Sequence, residues 1–208
     1  RYSDAFLKSK APKIGLVEQY YLDEADAETV SSIRALADKL SIAGAEVSKI
    51  SLDVDFEQIL AAHRVIMTVE GAFTHRENFA ERPEDYLPQV RNIIETGNET
   101  SGVNYVSARN AQRKLKSAVE RALRGYDMLL SPTAVSGAPT PETTGQPVFQ
   151  APWTMAGVPS ISIPYALDID GMPLGAQLAG KFLGESGLLA AASWIESIVE
   201  FGEVPDIS

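Results

Sequence analysis

Two hydrophobic periods alternate along the chain. Short apolar runs and strict apolar–polar alternation are typical of β-strands, and they occur at Lys13–Tyr20, Glu46–Leu52, Met128–Leu130, Ser160–Tyr165 and Pro173–Ala179. The stretches between these segments repeat apolar residues three and four positions apart, as amphipathic helices do. Strands that are separated by helices in this way predict an α/β fold in which a mixed central β-sheet is covered by helices.

Capping residues mark the ends of the predicted helices. Asp26 can accept backbone N–H groups at the start of a helix over Ala27–Ala43, and Gly44 stands where a left-handed C-cap belongs. Because a strand precedes this helix and another follows it, we expect a βαβ unit with parallel strands. The other predicted helices are Phe56–Phe79 (capped by Asp53 or Asp55), Pro83–Thr96 (stopped by Gly97), Val103–Leu123 (ended by Gly125) and a last one from Glu185 or Ser186.

The stretch 146–180 predicts a β-hairpin with a short lead-in. Val148–Ala156 is a short apolar turn or helix, and Gly157-Val158-Pro159 interrupts it. The last two predicted strands follow, separated by Asp168-Ile169-Asp170-Gly171. Asp-Gly tolerates the positive φ that a tight reversal requires, so the two strands should pair as a hairpin.

This stretch also resembles a known family. The runs FQAPWTMAGVPSISIP and DGMPLGAQLAG are similar to the late part of the amidase signature family, and a looser similarity continues from about Lys13 to Phe201. Members of that family hydrolyse carboxamides with a Ser–Ser–Lys triad and use no metal or organic cofactor. The resemblance therefore implies that residues 1–208 are the C-terminal portion of an amidase signature α/β/α domain, as one structural unit.

The residues that would carry the triad have no counterpart here. In the family they lie in a segment of the type G-G-S-S-G-G, with the lysine further upstream. The pair Ser31-Ser32 lies inside a helical pattern, and Ser101-Gly102 lacks flanking glycines. We therefore expect no catalytic residue in this chain, an upstream half of the same enzyme that contains the triad, and a native start before Arg1. A non-catalytic subunit or binding module that retains the amidase-like scaffold is the alternative.

Two regions are implied as substrate contacts. The run EGAFTHRENF resembles the family helix that borders the substrate pocket, which makes candidates of Glu70, His75 and Arg76. The loop before the hairpin matches one beside the active site, which adds Phe149, Gln150 and Trp153. We expect the two regions to approach each other. From the residues alone, core packing also explains the aromatic loop, and solvent-facing or hydrogen-bonded side chains also explain the histidines.

Two further positions bear on the choice of amide. The tRNA-dependent amidotransferase components that bind free glutamine have an aspartate just before this loop, where Pro147 stands here. The arginine that holds the glutamine carboxylate in those proteins falls near Asn92 or Ile93, with Arg91 adjacent. The resemblance therefore favours a general amidase, which cleaves a small carboxamide to a carboxylate and ammonia or an amine, over a glutamine-binding subunit.

Composition removes several other functions. The formal net charge is −10. There is no cysteine, so disulfides and thiolate chemistry are excluded. The basic run Arg109–Arg124 includes Glu120 and predicts a solvated helix face rather than a nucleic-acid site. Ser131, Ser160 and Ser162 lack a nucleophile elbow, and the latter two look like ordinary strand residues.

The sequence features require only two partners, the small amide substrate and the missing upstream half. His63 and His75 would lie about 120° apart on one helix and cannot share a metal. No apolar run reaches the roughly 18 residues that span a bilayer, and the first residues lack the apolar core of a signal peptide. We expect a cytoplasmic protein without nucleic-acid or membrane partners. A sheet that has lost part of its covering should expose a large apolar face or form a homo-oligomer.

Overall fold

The computed structural model describes residues 10–143 and 145–203. The chain divides into two compact units. Unit 1 comprises residues 10–53 and 118–203, and unit 2 comprises Val54–Ser117. The residues on which the expectations about a signal peptide and a native start depend lie mostly at positions 1–9, outside the described residues.

Unit 1 contains the sheet. Its strands are β1 (Lys13–Val17), β2 (Glu46–Ile50), β3 (Met128–Pro132), β4 (Ser160–Leu167) and β5 (Pro173–Ala179). Their spatial order is β2-β1-β3-β5-β4. β1 pairs in parallel with β2 and with β3, whereas β5 is antiparallel to β3 and to β4. The mixed sheet of an α/β fold, predicted from the alternation of periods, is confirmed.

Helices follow the predicted order, with one addition. They are α1 (Tyr21–Glu24), α2 (Ala27–Ile42), α3 (Phe56–Glu81), α4 (Pro88–Glu99), α5 (Gly102–Ala122), α6 (Ala151–Ala156) and α7 (Glu185–Val199). The sequence pattern missed α1, which is a single turn. Asp26 caps α2 as predicted, because its Oδ1 accepts the Thr29 N–H at 2.7 Å. The next helix is capped by Asp55, whose Oδ1 accepts the Gln58 N–H at 3.2 Å.

One face of the sheet carries the main hydrophobic core of unit 1. Helices α2 and α7 pack there, and the core combines Ile33, Leu40, Leu188 and Ile195 of the helices with strand residues such as Leu16, Leu130 and Leu178. Successive side chains of a strand point to opposite faces. Leu129, Ser131, Gln177 and Ala179 therefore belong to the other face, where Leu129 stands opposite Ala179 and Ser131 opposite Gln177.

β1 ends three residues earlier than predicted, at Val17 instead of Tyr20. Tyr20 adopts φ 69° and ψ −55°, and the Tyr21 N–H donates to the Gln19 carbonyl at 2.8 Å. This is the γ-turn with positive φ, which is rare and strained. The turn is accompanied by burial of the Tyr21 ring, which stacks on Trp153 with centroids 5.6 Å apart.

The predicted hairpin is confirmed at β4 and β5. Asp168 organises the turn, since its Oδ1 accepts the N–H groups of Asp170 at 3.0 Å and Met172 at 2.7 Å. Gly171 has φ 78°, the positive value that the Asp-Gly pair was expected to supply. The ladder is irregular between Pro164 and Ala166, where the proline has no N–H to donate.

Unit 2 is helical, and one prediction about it is wrong. The expected helix from Pro83 to Thr96 is instead a 3-10 turn at Pro83–Asp85, followed by α4 from Pro88. Gly97 does not stop this helix but lies within it. A Cβ at Gly97 would lie 2.1 Å from the Thr68 carbonyl oxygen. The glycine is therefore required for the close approach of α4 to α3, a contact between helices that no local pattern reveals.

Candidate functional site

An open cavity of about 890 Å³ lies in unit 1 beside the end of β3. Segment 133–139 forms one side, and its other walls include Glu24, Gln150, Ser162 and Gly175. β1 and β3 are parallel, so their carboxyl ends share one edge of the sheet. In open α/β sheets this edge is where ligands bind.

Thr133 is fixed in the cavity wall by three hydrogen bonds. Its N–H donates to the Gly175 carbonyl at 2.8 Å, and its own carbonyl accepts Nε2 of Gln150 at 2.5 Å. Its hydroxyl lies 2.7 Å from the hydroxyl of Ser162. A Cβ on Gly175 would lie 2.7 Å from Ser162 Oγ and 2.8 Å from Thr133 Oγ1. The glycine therefore leaves the room that this hydroxyl pair occupies.

Several polar atoms around this wall have no hydrogen-bond partner among the described residues. Ser131 Oγ, Gln150 Oε1 and Gln177 Oε1 are buried and have no hydrogen bond to any part of the chain that the structure describes. Ser131 is 0% exposed and Gln177 is 5% exposed. Unpaired buried polar groups are costly and uncommon in folded proteins. Ser131 and Gln177 lie on the sheet face that also carries Ser162, and Gln150 lines the cavity, which makes this region a candidate site.

An aromatic cluster positions the loop and helix α6 that carry Gln150. Phe149 packs against Tyr21, with ring centroids 5.0 Å apart, and both rings are fully buried. The Tyr20 hydroxyl donates to the Val148 carbonyl at 3.2 Å. Burial raises the pKa of Tyr20 to about 12, so this hydroxyl keeps its proton at neutral pH.

The three candidate residues of this loop thus differ in position. Gln150 lines the cavity. Phe149 and Trp153 are 0% and 1% exposed within the described residues, in agreement with the core-packing alternative. Contact of these residues with a substrate stays a prediction.

The candidates of unit 2 all lie on α3 and each has partners within the unit. Glu70 Oε1 accepts hydrogen bonds from the Tyr105 hydroxyl and from Arg109 Nη1, both at 2.9 Å. The bond to Glu70 raises the pKa of Tyr105. His75 Nδ1 lies 3.1 Å from the Tyr86 hydroxyl.

Arg76 is also engaged. Its guanidinium carbon lies 4.4 Å from the centre of the Phe73 ring, and Nη1 donates to the Phe73 carbonyl at 2.8 Å. Nη2 pairs with Glu77 at 2.8 Å. Substrate binding by Glu70, His75 and Arg76, and their approach to the Phe149–Trp153 loop, stay predictions.

Sequence reasoning missed Thr133 and set Ser162 aside as an ordinary strand residue. A signal was available for the second, since Ser160 and Ser162 alternate with isoleucines and so share a face that the core does not use. For Thr133 the only signal in the sequence was its position shortly after the third predicted strand.

Two negative findings concern the described residues alone. None of their histidine, aspartate and glutamate side chains come together in a group of three that could hold a metal ion. None of their helices combines the length and apolar character that crossing a membrane requires.

The mixed sheet and the cavity at its edge define an α/β scaffold with a candidate site at the carboxyl ends of parallel strands. The family model described as Amidase matches residues 2–189. The chain therefore belongs to the amidase family, and the resemblance to the amidase signature enzymes is confirmed.

Individual relatives agree. The chain is 30% identical over 229 residues to the A subunit of glutamyl-tRNA(Gln) amidotransferase from Rhizorhabdus wittichii, covering 94% of this chain and 46% of that protein. It is 28% identical over 196 residues to an amidase of Pseudomonas putida, covering 88% of this chain and 42% of the relative. An amidase crystal structure superposes with a TM-score of 0.82 at 26% identity, over 91% of this chain and 46% of the other. The chain thus spans a little less than half the length of these relatives.

Proposed function

We propose that this chain is the C-terminal part of an amidase signature hydrolase that cleaves a small carboxamide to a carboxylate and ammonia or an amine. The proposal rests on the family match over residues 2–189. The chain corresponds to only part of each relative, which makes it a part of the enzyme. The reaction would pass through an acyl-serine intermediate formed by a Ser–Ser–Lys triad in an upstream half of the parent enzyme.

The proposal assigns this chain a scaffolding and pocket-forming role. A serine nucleophile requires a base within hydrogen-bond reach. Ser131 Oγ has no hydrogen-bond partner among the described residues, and Ser162 Oγ bonds to Thr133, which is not a base. Ser162 is therefore assigned to the wall of the pocket, together with Gln150, and Ser131 to the buried interior beside it.

A neutral substrate suits the charge of the cavity. Its lining residues within the described part of the chain include the carboxylate of Glu24 but no lysine or arginine. A carboxylate-bearing ligand such as free glutamine would meet a like charge and no compensating cation. Pro147, where the glutamine-binding amidotransferase components have an aspartate, also lines the cavity. We therefore favour a small uncharged amide over glutamine.

Activity of the chain with and without the upstream half tests the proposal. The purified chain should neither hydrolyse aliphatic and aromatic amides nor react with a fluorophosphonate probe. The parent enzyme with the upstream half restored should do both, and replacing its triad serine by alanine should abolish both. Labelling of any serine in this chain would contradict the assignment of roles. A restored protein without turnover or labelling would favour the non-catalytic alternative.

The upstream half, or a second copy of the chain, is also proposed to cover apolar side chains. In unit 1, Ile42 and Ile169 are each 89% exposed, and Leu183 is 76% exposed. In unit 2, Val103 is 79% exposed. Light scattering of the chain should reveal association that disappears when the upstream half is present. A clean monomer that binds no apolar dye would count against this.

A further inference from the structure

We propose that the hydroxyl pair of Thr133 and Ser162, held over Gly175, is a recognition site for the C=O/N–H edge of a neutral carboxamide. The inference deepens the proposed function and rests on it in one respect, the identification of this carboxamide with the substrate of the parent enzyme. Within that reaction, the pair would determine specificity and would take no part in bond cleavage.

The pair is held by hydrogen bonds before any ligand arrives. The Thr133 backbone is held on both sides, by the Gly175 carbonyl at 2.8 Å and by Gln150 Nε2 at 2.5 Å. Ser162 projects from the neighbouring part of the sheet, because β4 and β5 are paired and Ser162 stands opposite Gln177, two residues from Gly175. Both hydroxyls line the cavity and are accessible from it. Such a prepared arrangement lowers the cost of ordering the site on binding.

Hydrogen-bond capacity selects the ligand. Each hydroxyl has one proton to donate and two lone pairs that accept. At 2.7 Å one hydroxyl of the pair donates to the other, so a single proton remains for a ligand, together with free lone pairs on the other oxygen. The pair therefore presents one donor beside one acceptor. A primary or secondary carboxamide with N–H and C=O on the same edge presents the complementary acceptor and donor.

Other ligand classes fit this pattern less well. A carboxylate presents two acceptors, and the pair could satisfy both only by breaking its own hydrogen bond. A tertiary amide has no N–H to donate. The rest of the wall also favours ligands that bring N–H groups, since Glu24 contributes a carboxylate and the described lining residues include no lysine or arginine.

Titration of the 208-residue chain with three small probes tests the inference directly. Benzamide has the complementary C=O/N–H edge, N,N-dimethylbenzamide has the C=O but no N–H, and benzoate has a negatively charged carboxylate with two acceptors. Binding is followed by the backbone amide NMR signals of Thr133, Ser162 and Gly175. Benzamide should shift these signals and bind about 3- to 10-fold more tightly than either of the other probes, which corresponds to one hydrogen bond. Equal affinities, or shifts elsewhere only, would overturn the inference.

Variants separate the pair from the rest of the wall. Thr133→Val and Ser162→Ala should each weaken benzamide binding about 3- to 10-fold and remove the preference over the dimethyl probe. Thr133→Ser keeps the hydroxyl and should keep the preference. Ser160→Ala is the matched control, because Ser160 is exposed on the same strand and face but does not line the cavity. An equal loss in Ser160→Ala, or no loss in Thr133→Val, would contradict the proposal.

The probe experiment does not depend on turnover. If the restored parent enzyme hydrolyses amides while the chain fails to discriminate the probes, the proposed function stands and this inference fails. If the chain discriminates the probes while the parent hydrolyses no amide, the recognition site stands and the proposed function fails. Should a variant not fold, as judged by circular dichroism, the probe series on the unaltered chain still decides.

Discussion

Replacing Gly97 by alanine should destabilise unit 2, although the same change in a helix interior is ordinarily favourable. Gly97 lies within α4. A Cβ there would lie 2.1 Å from the carbonyl oxygen of Thr68 and 2.7 Å from the Cβ of Ala72, both on α3. An ordinary contact starts near 3.4 Å, so the closest pair falls short by about 1.3 Å (3.4 minus 2.1).

The expected magnitude follows from two opposing effects. Alanine is favoured over glycine by at most about 1 kcal/mol in a helix interior. Against this, the nearest obstacle is backbone, which cannot rotate away, so α4 must shift and lose packing along its contact with α3. Overpacking of this kind costs about 1–3 kcal/mol, and occasionally more. Because the closest approach is only 2.1 Å and involves backbone, we expect the upper part of this range, about 2–3 kcal/mol, and therefore a net loss of about 1–2 kcal/mol in the free energy of unfolding.

Gly71→Ala is the matched control. Gly71 belongs to α3, and a Cβ there would lie 3.7 Å from Ile93 Cγ2 on α4, an ordinary contact. That substitution should be neutral or stabilise unit 2 by up to about 1 kcal/mol. Urea unfolding monitored by circular dichroism gives the free energies, and hydrogen exchange of α3 and α4 amides localises the effect. A Gly97→Ala protein as stable as the Gly71→Ala protein would refute the steric reasoning.

Three further perturbations test other parts of the molecule. Phe149→Ala should cost about 3–5 kcal/mol in urea unfolding because the ring is fully buried against Tyr21; a loss below about 1 kcal/mol would contradict the packing described. Asp26→Ala should cost about 1 kcal/mol through loss of the cap on α2, whereas Asp26→Asn should retain most of the stability. Burial lowers the pKa of His63 below its ordinary value of 6.5, so the unfolded chain binds the proton first and stability should fall as the pH drops from 6.5 towards the lowered pKa. The urea midpoint of His63→Gln should change less over that range, and an unchanged pH dependence would count against this.

The order of strands and helices could be predicted from the sequence because it depends on local periodicity. Alternation and short apolar runs located all five strands, and β5 was predicted with its observed bounds. Side chains that can cap a helix located the starts of α2 and α3, since capping involves residues only three positions apart. The hairpin turn was equally predictable, because the Gly171 N–H donates to the Asp168 carbonyl within one loop.

The errors arose where distant residues decide the local geometry. A glycine after an apolar pattern is a common helix stop. Gly97 is instead required within its helix, because the backbone of the neighbouring helix lies where a side chain would be. Tyr20 belongs to an apolar run that predicts a strand, yet its backbone turns with φ 69°. The Tyr20 hydroxyl bonds to a carbonyl 128 residues away. Neither contact leaves a periodic trace in the sequence.

The cavity wall shows why a functional site is harder to predict than a strand. Alternation correctly places Ser162 on the face opposite Ile163, and that placement alone makes it an unremarkable strand residue. Its chemistry depends on register: Ser162 stands opposite Gln177 in β5, and Thr133, just after β3, donates its N–H to the Gly175 carbonyl of the same strand. A shift of one residue in either pairing would move one hydroxyl to the opposite face and separate it from the other. The absence of a side chain at Gly175, between the two hydroxyls, is therefore as much a part of the proposed site as the oxygens themselves.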